Sequence, residues 1–413
     1  ALRNGRLCLS GVRNTSPEQA KEYGVGSAAG AMLPLGAGGD WRLVADEIAP
    51  TLDGGRAVLQ VALTLENAAL RLTARARVYP GTSVIRLSAQ IANTGATSRT
   101  ISGTPFSAAL FPVEGDFSLR WLAGGHAERN QGQMFCEPIP AEYSRSLRTT
   151  ASAEYCPWLI FQRKQAPGDG LMVALDFLGQ WELSVVRRSG GPVKLVAALR
   201  YPDQIELAPG QTVEFPPITL GAFHGDLDDL GVRLYDWQYL YRWDCTNPEY
   251  FARTRSLTWW FYCSRNLQEQ FTARLAGLDM VLEPLSEVGY EILWDDAGWS
   301  SYPGWPPEGY GSVFSNTYEG PDFARTQRYL RKKDMKWLLW FAGMPTDALL
   351  DTKVGAWGDL EWRTDAVDLG GLNGFDKDRK FRERVEHFLS VHPESSFHTC
   401  SGGATYAHNF DVY

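Results

Sequence analysis

Short alternations of apolar and polar residues dominate the first half of the chain. Leu70-Arg-Leu-Thr-Ala-Arg-Ala-Arg-Val alternates well, Val58-Leu-Gln-Val-Ala-Leu-Thr-Leu less regularly, and Val84-Ile-Arg-Leu-Ser-Ala-Gln-Ile follows. A period of two predicts half-buried strands, and Tyr79-Pro-Gly and Asn93-Thr-Gly supply turn chemistry between them. Further strands are expected at Phe117–Leu122, 158–162, 171–175, 181–186 and Val193–Leu199. Pro209-Gly and Pro216-Pro read as late turns. Short β runs punctuated by Gly, Pro and Asn predict a large antiparallel sandwich over residues 1–225.

The period then changes. Leu227, Leu230, Leu234, Trp237 and Leu240 recur at helical spacing, which predicts a linking helix within residues 226–256. From Leu257 to Tyr413 strands and helices alternate. Leu257-Thr-Trp-Trp-Phe-Tyr-Cys reads as a strand. Phe271, Leu275, Leu278, Leu282 and Leu285 form a helical stripe, kinked or shortened by Pro284, with Gly289 just past its end. Glu291-Ile-Leu-Trp-Asp is the next strand, followed by a long loop over 297–320. Pro321 opens a helix at its first position. Met335-Lys-Trp-Leu-Leu-Trp-Phe-Ala is a buried strand and Ala366-Val-Asp-Leu a shorter one. Phe381, Val385, Phe388 and Leu389 mark a helix stopped by Pro393, and Ser396-Phe-His-Thr is a last short strand. Such alternation predicts a parallel sheet, open or closed into a barrel. No GxGxxG follows the first strand, which disfavours a dinucleotide fold. Residues 257–413 are fewer than the roughly 250 of a closed eight-unit barrel, so a barrel here is expected to be incomplete.

Composition narrows the function. Hydrophobic residues make up 44% of the 413 residues, enough for large cores, and the 21% charged share is too low for a disordered chain. The net charge of −8, without a basic cluster, argues against a nucleic-acid partner. No apolar run approaches the roughly 18 residues that span a bilayer, which argues against a membrane protein. The six cysteines are scattered without CxxC, so a zinc ribbon or disulfide scaffold is not expected. Fifteen tryptophans are a high share, and aromatic faces stack on the apolar faces of sugars. The histidines show no HExxH or paired metal spacing, and no GxSxG marks a serine hydrolase. The compartment, cytoplasmic or exported, and homo-oligomer formation stay open.

Barrel enzymes place their chemistry at the C-terminal ends of strands. Asp295 and Asp296 end one predicted strand, with Trp299 close behind. Trp340 lies near the end of another, and Cys400, Gly402 and Gly403 follow the last. Adjacent carboxylates can accept strong, charge-assisted hydrogen bonds from sugar hydroxyls. Glycines let backbone approach a ligand closely, although they serve a plain tight turn equally well.

These residues resemble glycoside hydrolase family 36, the α-galactosidases and their relatives. Ile292-Leu-Trp-Asp-Asp-Ala-Gly-Trp is similar to the family's strand-end Asp-Asp-Gly-Trp, Asp334-Met-Lys-Trp-Leu-Leu-Trp-Phe to its Gly-Met-Lys strand, and Cys400-Ser-Gly-Gly to its Cys-Ser-Gly-Gly loop. Leu257-Thr-Trp-Trp resembles the first barrel strand, and the Tyr79-Pro-Gly to Asn93-Thr-Gly region the N-terminal β-supersandwich. The resemblance implies a β-supersandwich followed by a (β/α)8 TIM-type barrel. It implies retaining hydrolysis of terminal α-linked galactose or N-acetylgalactosamine, without metal or cofactor. Asp295, Asp296, Trp299, Trp340, Arg363, Cys400, Gly402 and Gly403 would bind the sugar.

The sequence also departs from the family. There, a Lys-x-Asp at the end of the fourth strand supplies the nucleophile. Here the stretch between Leu369 and Phe381 is too short for a further unit, and Asp376 and Asp378 read as part of a solvated loop. The family's Glu-Pro is Ala342-Gly343, and the segment after Ser-Gly-Gly lacks the usual Arg. Asp411 matches a loop aspartate that is not the acid/base, which in the family lies further on. Two explanations follow: segments absent from this sequence, or a catalytically inactive relative that binds sugar or serves as a scaffold. The first is expected, since a barrel short of strands would expose unpaired sheet edges.

Overall fold

The computed structural model describes residues 41–102, 107–111, 117–123, 133–148, 155–163, 169–177, 181–191, 193–199, 204–242, 257–260, 283–284, 286–295, 321–342, 361–365, 374–392, 395 and 397–400, with short strands at 2–3, 6–7, 11–13 and 22–24. The chain divides into two compact units, the first built mainly on Ala1–Asp244 and the second on Cys245–Leu372 and Asp376–Gly402.

The first unit is antiparallel β structure, as the alternation predicts. A nine-stranded sheet runs, in spatial order, Met134–Pro138, Phe117–Leu122, Trp158–Arg163, Asp169–Leu175, Thr212–His224, Val84–Asn93, Leu70–Val78, Arg56–Asn67 and Arg42–Asp53. A four-stranded sheet runs Ser107–Phe111, Val193–Leu199, Trp181–Arg187 and Tyr143–Arg148. One core lies between them. Leu183, Val185 and Leu195 of the smaller sheet join Leu65, Leu72, Leu119, Leu159, Val173 and Leu220 of the larger. Each such buried side chain contributes roughly 1.5–3 kcal/mol.

One turn expectation is corrected. Pro216 and Pro217 lie inside the strand Thr212–His224, where the pairing with Val84–Asn93 shifts register between Phe215 and Ile218. Two residues without an N–H are tolerated at such a bulge. The Pro217 carbonyl accepts instead from the Asp176 N–H, at 2.9 Å. The Pro209-Gly210 turn is as expected, with Gly210 at φ +77°.

Helix α1 (Leu227–Trp237) covers the opposite face of the large sheet. Asp226 caps it, accepting from the Asp228 and Asp229 N–H groups, and Asp229 accepts in return from the Asp226 N–H. This capping box satisfies donors that a helix start would otherwise leave open. Leu230, Leu234 and Trp237 bury against Val84, Met172, Ala174 and Phe223. A π-helical turn, Gln238–Arg242, continues α1. Asp53 clamps it: its carboxylate accepts from Arg242 Nη1 at 2.9 Å and from the Tyr79 hydroxyl at 2.7 Å.

The second unit holds five parallel strands whose spatial order is their chain order: Leu257–Trp260, Ile292–Asp295, Lys336–Ala342, Glu361–Asp365 and Phe397–Cys400. Helix α2 (Pro321–Lys332) precedes the third strand, and helix α3 (Gly374–Val391) the fifth. Pro321 opens α2 as the sequence predicts. Ile292, Leu293, Trp337, Leu338, Val385 and Phe388 are buried.

Several expectations change here. The fourth strand is Glu361–Asp365, just ahead of the 366–369 strand read from sequence, and 366–369 lies outside the described residues. Asp376 and Asp378, read as loop, belong to α3, which starts well before Phe381. The last strand runs one residue further, to Cys400. Of the 271–285 stripe only 283 and 284 are described, and both are helical. The 297–320 loop lies outside the described residues. Among the described residues, nothing pairs the first strand with the fifth to close a barrel.

Candidate functional site

In a parallel sheet every strand ends on the same side, so the candidate residues can be placed by register. Asp295 is the last residue of the second strand and pairs with Trp260 on one side and Leu339 on the other. Trp340, one step beyond Leu339, is the register partner of Arg363. Arg363 pairs in turn with His398, and Asp365 with Cys400. Asp295 and Cys400 therefore end their strands, Trp340 lies two residues before the end of its own, and Arg363 sits at the middle of the strand between the Trp340 and Cys400 strands. Asp296, Trp299, Gly402 and Gly403 lie outside the described residues.

Local structure explains how the third strand is delivered. Helix α2 ends in a left-handed turn, with Asp334 at φ +53° and the Met335 N–H donating to the Leu330 carbonyl at 2.9 Å. That is a Schellman closure, and it reverses the chain straight into Lys336. The Lys336 N–H then donates to the Glu291 carbonyl at 2.8 Å, tying the third strand to the start of the second. Glu283 anchors the same helix. Hydrogen bonds from Lys333 and then Tyr329 hold its carboxyl below the ordinary carboxylate range.

Sequence reading missed one strand-end carboxylate. Arg363-Thr364-Asp365 ends the fourth strand, and Asp365 sits at the register position beside Cys400. Arg363 lies inside this strand. The signal was present, a cation two residues before an aspartate. It was hidden because Glu361-Trp-Arg-Thr-Asp puts its charged residues at alternate positions, in phase with Glu361. Glu361 is fully buried, at 0% exposure. A pattern search that puts apolar residues inside discards such a strand.

Comparison with known proteins places the fold. No protein-family model and no curated protein matches the chain. Solved structures do. The galactosidase domain of the α-galactosidase–sucrose kinase AgaSK superposes with a TM-score of 0.69 at 16% identity, over 91% of this chain and 60% of that one. The α-galactosidase from Lactobacillus brevis gives 0.68 at 15%, over 90% and 58%. The glycoside hydrolase family 36 α-galactosidase AgaA from Geobacillus stearothermophilus, in complex with raffinose, gives 0.68 at 14%, over 92% and 62%. At these identities the likeness is one of fold, and the chain spans about 60% of the length of these neighbours.

Proposed function

We propose that the chain is the sandwich and part of the barrel of a retaining glycoside hydrolase acting on terminal α-linked galactose or N-acetylgalactosamine. The observation that carries the reading is the five-stranded parallel sheet, whose fourth strand ends on Asp365 between the Trp340 strand and the Cys400 strand. The fold likeness to family 36 α-galactosidases supports it. The five strands are taken as the first part of a (β/α)8 barrel that closes with further strands.

In this reading Arg363-Thr-Asp365 stands where the family carries Lys-x-Asp. The Asp365 carboxylate attacks the anomeric carbon while the glycosidic bond breaks. The leaving oxygen takes a proton from a second carboxylic acid about 5–5.5 Å away. Water, deprotonated by that same group, then releases the sugar and restores Asp365. Asp295 and Asp296 bind ring hydroxyls through charge-assisted hydrogen bonds. Trp340 and Trp299 supply apolar walls, Arg363 a hydroxyl donor, and Cys400, Gly402 and Gly403 a close backbone edge.

The test is Asp365→Gly in the natural full-length protein. Release of nitrophenol from nitrophenyl α-galactoside is expected to fall by about 10³-fold or more. Azide, small enough to enter the space left, is expected to restore part of the turnover as galactosyl azide. Full activity in D365G, or galactose binding without turnover in the wild type, would defeat the assignment.

A further inference from the structure

The proposed reaction leaves one titratable residue near the strand ends without a role. His398 is the second residue of the fifth strand, two before Cys400. The fourth and fifth strands pair in unbroken register, Arg363 with His398 and Asp365 with Cys400. The third and fourth do likewise, Trp340 with Arg363 and Ala342 with Asp365. Register partners share a face of the sheet, and so do residues two apart on one strand. Trp340, Arg363 and His398 therefore form one rung across three strands, and Ala342, Asp365 and Cys400 the next rung toward the strand ends. Strand spacing and rise set the His398 backbone about 5 Å from that of Arg363 and about 8 Å from that of Asp365. Among the described elements, the fourth strand is the one paired with the fifth. Its charged residues are Glu361, Arg363 and Asp365, all in the phase of His398, and Cys400 is the other titratable residue on the fifth strand.

A residue so placed acts through charge. Histidine has an ordinary pKa of about 6.5, so it changes charge near neutral pH. A full charge about 8 Å away, at an effective dielectric constant of about 20, alters an equilibrium or a barrier by roughly 10–30-fold. The effect depends on distance and needs no contact. A neutral imidazole leaves the Asp365 carboxylate free to attack. An imidazolium makes that carboxylate a weaker nucleophile. It also opposes the positive charge that grows on the anomeric carbon in an oxocarbenium-like transition state. Arg363 stays charged throughout and cannot make this change.

We infer that His398 is a positioning residue that acts on Asp365 through its charge, so that its protonation shuts the hydrolase down on the acid side. The inference rests on the hydrolase reading above.

The experiment is the pH profile of kcat and kcat/KM on nitrophenyl α-galactoside in the natural full-length protein. The wild type is expected to lose activity on acidification with a midpoint between about pH 5 and pH 7. H398N is expected to move that midpoint down by about one pH unit or more, toward the titration of Asp365 itself. H398K, charged across the range, is expected to hold kcat about 10–30-fold below the wild type on the alkaline side. If H398N does not fold, H398Q carries the same test. A wild-type midpoint below about pH 5, a midpoint unchanged in H398N or H398Q, or losses equal at every pH, as a merely structural role would give, would overturn this inference alone. A wild type without turnover at any pH would defeat the hydrolase reading and this inference with it.

Discussion

Two cysteines show how burial sets reactivity. Cys136 is exposed and Cys156 buried. Desolvation pushes the Cys156 thiol up to about 11, and the thiolate is the reacting species. Brief alkylation near neutral pH should therefore label Cys136 and spare Cys156, read by peptide mass mapping; equal labelling would contradict the burial. A buried ion pair matters more for stability. Arg86 donates to Asp176 at 3.1 Å, and Thr219 donates to the same carboxylate. Arg86→Ala should destabilise the first unit by about 3–5 kcal/mol in urea, because it leaves a buried carboxylate without that cation. Glu137 is one acid-sensitive group. Burial pushes its carboxyl up, but hydrogen bonds from Arg145 and Tyr143 outweigh this and hold it below the ordinary carboxylate range. A lowered folded-state value stabilises above the unfolded value and is lost as pH falls through the folded one. Glu137→Gln should thus flatten the loss of stability on acidification, seen as a smaller shift in urea midpoint between neutral and acid pH.

At the scale of elements, two turns decide how strands are delivered. Gly54 has φ +55°, and a Cβ there would meet the Tyr241 carbonyl oxygen at 2.3 Å. Gly55, at φ +71°, has open space around it. Gly54→Ala should cost clearly more than Gly55→Ala, whose penalty is about 1 kcal/mol of backbone strain; equal thermal shifts would speak against the docked π-turn. In the second unit, Asp334 occupies the left-handed closing position of α2. Asp334→Gly should stabilise by about 0.5–1 kcal/mol, with no change in the strand that follows. Legibility varied with the same physics. Leu70–Val78 was readable because one face is buried and the other wet. Arg42–Asp53 was not read as a strand, since among the described residues it is the sheet's edge and none of its residues is fully buried. The proline pair at 216–217 misled because a bulge removes the need for the N–H groups that proline lacks.

At the scale of the whole molecule, the sequence predicted an antiparallel half followed by a parallel one, and both are present. The sugar-binding candidates were legible where they end apolar strands, as Asp295 does. Asp365 was not, because its strand carries charged residues at alternate positions, the first of them the buried Glu361. Among the described residues, the large sheet ends on the strand Arg42–Asp53. Ile48 and Leu52 there are each 68% exposed. Asp46, Glu47 and Pro50 on the same strand are features that discourage edge-to-edge pairing. Replacing Asp46 and Glu47 with valine should produce concentration-dependent association in light scattering, while the parent protein shows less. The fourth strand, which starts on the buried Glu361, carries a constraint of its own. Because neighbouring residues on a strand face opposite ways, deleting one residue between Glu361 and Asp365 would move Trp362 or Thr364 into the register phase now taken by Glu361, Arg363 and Asp365. Length changes in the flanking connections carry no such penalty, so divergence in this protein has room to lengthen or trim those connections but not to alter the spacing of these five residues.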